Sequence, residues 1–171
     1  MADSDCVHFH PEAHWRAAVR DAWERETALL AVLLPGADLQ HVGSTAVPGS
    51  LTKGDLDIQV RVEAAAFADA EAVLSRNYAR NAGSPSLPGF AAFEKPDAHP
   101  SIGLQLTAIG GEWDLFWRFR EVLLARPDLR ARYDDLKRAH EGKPMAGYRR
   151  AKDRFFEELR ALPDFAAAHL P

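Results

Sequence analysis

The chain has 171 residues, nearly half of them apolar and about a quarter charged, a mix that suits one globular domain, 1–171, with a sizeable core. Its net charge of -4 argues against a general nucleic-acid coat, and no apolar run is long enough to span a bilayer. Cys6 is the only cysteine, which excludes an internal disulfide; with an acidic start lacking a signal-peptide core, the expected location is cytoplasmic.

In chain order, His8, His10 and His14 come first. They have the look of a metal cluster, but Pro11 interrupts them and they read as part of a mobile terminus. From about Pro11 to Leu34, Trp15, Val19, Trp23 and Leu30 recur at helical spacing until Pro35-Gly36 stops them. A short strand, Asp38 to Val42, leads into Gly43-Ser44, and Pro48-Gly49 limits any helix starting at Ser44 to about one turn.

Asp55 to Val62 alternates polar and apolar without a break, the period of a half-buried strand. Leu56, Ile58, Val60 and Val62 face a core, and Asp55 and Asp57 project from the other face. Two carboxylates so close raise each other's pKa unless a cation neutralises them. A hard divalent cation is the natural partner.

Glu63 to Arg76 is the next helix, Asn81 to Gly89 a loop, Phe90 to Glu94 a strand. Ser101 to Ile109 alternates again, with Gly103, Gln105 and Thr107 on its polar face. After Gly110-Gly111 the pattern is helical: about Glu112 to Ala125, Pro127 to His140 and Pro144 to Leu162. Between Arg118 and Arg160 there are 13 Lys/Arg against 8 Asp/Glu, a balance that attracts polyphosphate, although solvated helix faces account for residues such as Arg149, Arg150 and Arg154. Helix first, strands in the middle and helices last make an α+β fold: a small mixed sheet flanked by helices, with a helical C-terminal part.

Glycine lets a backbone approach a ligand closely, and N–H groups at a helix start bind anions, so Gly43-Ser44 is a candidate phosphate turn. Alone, the dipeptide is an ordinary strand-to-helix turn. Its coupling to Asp55-Leu56-Asp57-Ile58 across ten intervening residues resembles the signature of the polymerase-β-like nucleotidyltransferase superfamily. Over a wider span, His41-Val42-Gly43-Ser44-Thr45-Ala46-Val47-Pro48-Gly49 with Lys53 and Asp57 resembles the hallmark of the GrpB family (UPF0157) within that superfamily. The likeness continues through Glu112-Trp113, Phe119-Arg120, Ala125-Arg126-Pro127, Tyr133, Leu136-Lys137, Tyr148, Lys152 and Phe155.

The resemblance implies a nucleotidyltransferase-like fold that binds a nucleoside triphosphate and transfers a nucleotidyl group to a small acceptor. Gly43 and Ser44 would hold the triphosphate, and Asp55 and Asp57 would bind Mg²⁺ or Mn²⁺. Lys152 and Arg120 match family positions from which they would reach the phosphates. Lys53 either steers a phosphate or pairs with Asp55, and His41 holds the loop rather than catalysing. The domain also occurs fused to dephospho-coenzyme A kinase, which points to a coenzyme A connection.

Two departures stand out. Many members carry an apolar residue in place of Asp55, and the second acid here brings the chain toward active transferases. The third carboxylate is missing: Gln105 stands where the family often has His, and Gln is neither a general base nor a charged ligand. Glu94 is the candidate substitute. A non-catalytic module that binds a nucleotide or a coenzyme A-type phosphate is therefore the alternative reading.

Overall fold

A computed structural model describes residues 6–171. The long first helix α1, Glu12–Leu33, lays Val19, Ala22 and Leu30 on one face of a five-stranded sheet, as its apolar spacing dictates. The strands are β2 (Asp38–Val42), β4 (Leu56–Val62), β5 (Ala79–Arg80), β6 (Phe90–Lys95) and β7 (Ile102–Ala108), in spatial order β2-β4-β7-β6-β5. Only the central β4·β7 pair is parallel. The route between them runs through α2 (Phe67–Asn77), which packs Ala70 and Leu74 beside α1 on the same face. That face carries Leu56, Ile58, Val60, Leu104, Leu106 and Phe93, all essentially inaccessible to solvent.

The opposite face is polar along the central strands. Its apolar cover is a second core formed by α3 (Phe116–Ala125), α4 (Pro127–His140), α5 (Met145–Arg160) and α6 (Pro163–Ala167), around Leu123, Leu129, Tyr133, Phe155 and Leu159. Where the sheet meets α3, Arg61 grips Asp114 through two bonds of 2.6 and 2.8 Å and also pairs with Asp38. Gln59 donates to Thr107 at 2.9 Å and to Asp114 at 3.0 Å, and its carbonyl oxygen accepts from the Trp117 backbone N–H. Burial pushes the Asp114 pKa up, but Arg61 and the Gly110 N–H outweigh it, and the carboxyl ends below its ordinary value.

Several elements differ from the sequence expectation. The helix expected from Glu112 begins at Phe116, because Asp114 accepts the Gly110 N–H and holds the preceding residues in turns. Pro163 ends the expected last helix and opens α6, a short helix that the pattern did not announce. The β4 strand begins at Leu56, so Asp55 precedes it.

The histidine segment is not a free terminus. β1 (His10–Pro11) pairs antiparallel with β3 (Leu51–Thr52), Val7 is buried, and Val7 exchanges backbone hydrogen bonds with Lys143 and Gly142. His8 pairs with Glu141 at 2.7 Å while His10 stacks on His14, so the three imidazoles are spent on different contacts. Apolar anchors on either side, Val7 and Phe9 (the latter edge-on to Tyr148), fix what the sequence left loose.

Candidate functional site

The site lies where β4 begins. Leaving β2, the chain turns at Gly43, whose φ of 76° and ψ of -173° fall in a region essentially reserved for glycine. A Cβ there would sit 2.5 Å from Asp57 Oδ2. On the other side Gly103, the register partner of Asp57 on β7, leaves room in the same way: its Cβ would stand 2.8 Å from Asp57 Oδ1. Two glycines thus flank one carboxylate. Gly103 is a residue that sequence reasoning did not single out, although a glycine inside a strand is itself a sign of close approach.

Asp57 is half-buried. Among the described residues its one hydrogen bond is a long one, 3.4 Å from Gln105 Nε2. Burial, then repulsion from Asp55, push its pKa up to about 6 against the attraction of Lys152 and Lys53. Lys152, on α5, has its own pKa lowered by burial and raised back in part by Asp57. The two groups act on each other without forming a direct ion pair.

Asp55 is placed differently. Lys53 Nζ lies 2.9 Å from one of its oxygens and Ser101 donates to the other at 2.7 Å. Of the two roles open to Lys53, pairing with Asp55 is the one seen. Ser101 escaped the sequence reading because a serine just before a strand carries no signal. The backbone around Asp55 is tied down as well. Thr45 donates to the Asp55 carbonyl at 2.9 Å, so the 2.9 Å contact between Thr45 Oγ1 and His41 Nε2 requires the imidazole to donate. Burial, followed by repulsion from Arg120, depresses the His41 pKa to about 4, and stacking on Trp23 at 5.5 Å holds the ring. His41 therefore acts as a neutral strut of the turn.

Arg120 is engaged in the same support. It donates to Gln40 at 3.0 Å and to the His41 carbonyl at 2.9 Å, and it pairs with Glu121. Its guanidinium ties α3 to β2. From the helical side, Lys137 donates to the Leu51 carbonyl at 2.6 Å while Asp134 accepts the Leu51 N–H at 3.0 Å, which fixes β3 and the loop carrying Lys53. Burial lowers the Lys137 pKa to about 8. The hydroxyls of Tyr133 and Tyr148 meet at 3.1 Å.

The third acid does not materialise. Glu94 stands in the same cross-strand row as Asp57, but Gly103 lies between them. Among the described residues, no group of three or more His, Cys, Asp or Glu side chains gathers as a metal site. What Gln105 offers is a neutral oxygen: with Nε2 turned to Asp57, its Oε1 is buried and has no partner. Turning the amide over would set that oxygen against the carboxylate, so this orientation is the favourable one.

This chain matches the GrpB protein family over residues 10–161. The chain belongs to the GrpB family. A UPF0157 protein of Vibrio cholerae is 29% identical over 156 residues, covering 91% of this chain and 82% of that protein. The crystal structure of the conserved protein GrpB from Enterococcus faecalis superposes with a TM-score of 0.58 at 20% identity, over 85% of this chain and 96% of that one. That likeness establishes a shared GrpB fold, a five-stranded mixed sheet with helices. No helix among the described residues is long and apolar enough to cross a membrane.

Proposed function

We propose that this GrpB protein is a cytoplasmic nucleotidyltransferase-like domain that binds a nucleoside triphosphate with Mg²⁺ (or Mn²⁺) and transfers its nucleotidyl group to a small acceptor. The observation that carries this reading is the convergence at one strand end: Asp55 and Asp57, the glycine turn against Asp57, and Lys53 and Lys152 within electrostatic reach of it. Resemblance of the Gly43-Ser44 and Asp55-Leu56-Asp57 pattern to the polymerase-β-like superfamily supports the same reading.

The residues present fit a hard cation. Asp57 is a carboxylate with a raised pKa and little hydrogen bonding, Asp55 lies beside it, and Gln105 Oε1 is an oxygen donor with nothing to bind. Asp55 and Asp57 would hold the metal, whose charge would let the Gln105 amide turn over and add its oxygen as a neutral ligand. When bound, it would supply charge neutralisation of the phosphates and polarisation of the reacting oxygen. With Asp55 so engaged, Lys53 is released to face a phosphate, and the N–H groups of the Gly43-Ser44 turn donate to another. In the transfer, the acceptor oxygen bonds to the α-phosphorus as the bond to pyrophosphate breaks, and the acceptor proton passes to water.

The absence of a third acid among the described residues favours a second reading, a module that binds a nucleotide or coenzyme A-type phosphate without turnover. One experiment bears on both. Thermal stabilisation is measured with nucleoside triphosphates and coenzyme A precursors in Mg²⁺, Mn²⁺ and EDTA. A ligand at about a hundred times its Kd adds roughly 2.7 kcal/mol, a shift on the order of 5–10 °C for a chain of this size. The shift is expected in metal only, and is lost in Asp57→Asn. Equal shifts in EDTA and in the variant refute metal-nucleotide binding at Asp57. Pyrophosphate release with a defined acceptor separates the transferase from the binding module.

A further inference from the structure

A cleft of about 270 Å³ opens beside Asp55. Trp15 of α1, Lys53-Gly54-Asp55 and the Pro96–Ser101 loop line it, whereas Gly43, Ser44, Asp57 and Lys152 do not. It meets the candidate metal-phosphate site only at Asp55 and Lys53. Its volume lies just below the usual range of ligand pockets, which suits a small molecule rather than a polymer.

The lining has a definite chemical bias. Trp15, Pro96, Ala98 and Pro100 make apolar walls. The Trp15 ring lies against the backbone of Gly54, where a Cβ would stand 2.3 Å from the nearest ring carbon. Packed so, its Nε1–H is buried and finds no acceptor among the described residues. An unmet buried donor is rare in native proteins, and a small shift of the indole away from Gly54 would open this one to a ligand oxygen in the cleft. Lys53 Nζ and the His99 ring add further polar groups, and the Asp55 carboxylate is the one anionic acceptor on the wall.

We propose that this cleft is the acceptor subsite and takes a small hydroxy acid. The apolar body lies between Trp15 and the proline-rich loop. The acid group is received by Trp15 Nε1–H and Lys53, and the hydroxyl faces Asp55. The role as acceptor rests on the nucleotidyl-transfer reading; the binding of the hydroxy acid does not.

The test uses full-length protein without nucleotide or metal. Calorimetry measures 3-hydroxybutyrate, mandelate and 4-hydroxybenzoate against butyrate, phenylacetate and benzoate, which lack the hydroxyl, and against the methyl esters, which lack the charge. At least one hydroxy acid is expected to bind, with its deoxy and ester analogues weaker by about tenfold each. Trp15→Phe, which keeps a ring but removes the N–H, and Lys53→Met are each expected to lose about tenfold while melting within a few degrees of wild type. The proposal is overturned if none of the hydroxy acids binds, or if Trp15→Phe and Lys53→Met bind them as well as wild type does. Asp57→Asn separates the two readings. Hydroxy-acid binding that persists in it while metal-nucleotide binding vanishes supports both. Metal-nucleotide binding by wild type with no hydroxy acid bound overturns the subsite alone, and hydroxy-acid binding with no metal-nucleotide binding overturns the transferase reading alone.

Discussion

Replacing Asp57 with Asn should stabilise the protein in the absence of ligand, against the usual rule that substitutions destabilise. Asp57 has its pKa raised from 3.8 to about 6 by burial and by Asp55. Below about pH 4 the carboxyl is protonated in both folded and unfolded chains and contributes nothing to pH dependence. Between pH 4 and 6 the unfolded chain ionises first, binds fewer protons and gains relative to the fold, so stability falls as pH rises. Above pH 6 both states are ionised and the penalty is constant. At about 1.4 kcal/mol per pKa unit the two-unit difference sets a ceiling of about 3 kcal/mol. Partial exposure of Asp57 lowers that figure, and about 1.5–3 kcal/mol is the working range. Asn is isosteric and neutral, and its carbonyl can keep the Gln105 bond. Urea unfolding of both proteins from pH 4 to 7.5, in EDTA, should show curves that nearly coincide at pH 4 and separate by that amount above pH 6. A gap that does not change with pH, or a variant less stable than wild type at pH 7, would refute the assignment of Asp57 as an uncompensated buried charge.

Gly43→Ala brings both backbone strain and a Cβ 2.5 Å from Asp57 Oδ2, whereas Gly36→Ala shares the positive φ, 87°, with nothing within 4 Å of its Cβ. The Gly36 variant should lose about 1–2 kcal/mol in urea unfolding, and Gly43→Ala more, together with metal-dependent nucleotide stabilisation; equal losses and intact binding would argue against the close approach. At the closed end of the polar face, Asp114→Asn leaves Arg61 without its bidentate partner and should cost about 3–5 kcal/mol, read as a fall in the urea midpoint. A loss under 1 kcal/mol would mean that Asp38 alone satisfies Arg61.

The main elements of this fold were legible because two periods recur cleanly. Alternation in Leu56–Val62 and Ile102–Ala108 places the core face, and α1 shows a helical stripe that ends at Pro35-Gly36. Local pattern says nothing about strand order, so the parallel β4·β7 pairing and the two-residue β1·β3 ribbon emerge only from tertiary contacts. The same limit governs the site. Asp55, Asp57 and Gly43 carry a spacing that can be read. Gly103, Ser101 and Trp15 reach the site from β7, the loop before it and α1, and no spacing links them to it. Arg120 illustrates the converse: its position in the chain suggests a phosphate ligand, and its contacts with Gln40 and the His41 carbonyl make it a brace for β2.

The polar face of the sheet supplies its own control for a ligand site. Towards its α3 end, Gln59, Arg61, Thr107 and Asp114 each find hydrogen-bond partners in one another, in the Asp38 carboxylate or in the backbone and indole N–H groups of Trp117, as buried polar groups in native proteins do. Directly beside this network the pattern reverses. Gln105 lies beside Gln59 in register, one strand over, yet its Oε1 has no partner, and Asp57 holds a single long bond. Among the described residues the buried side-chain polar atoms without partners are Gln105 Oε1, on the side chain that meets Asp57, and Trp15 Nε1, on a side chain that lines the cleft with Asp55. Had the sequence been unable to satisfy such groups on this fold, the failure would be scattered, and the closed network around Arg61 shows that it can satisfy them. On the proposed reading, a cation at the acids would meet the Gln105 oxygen and an oxygen-bearing ligand in the adjoining cleft would meet the Trp15 N–H. The two would be complementary, as the proposed joining of a metal-bound phosphate to a second small substrate requires.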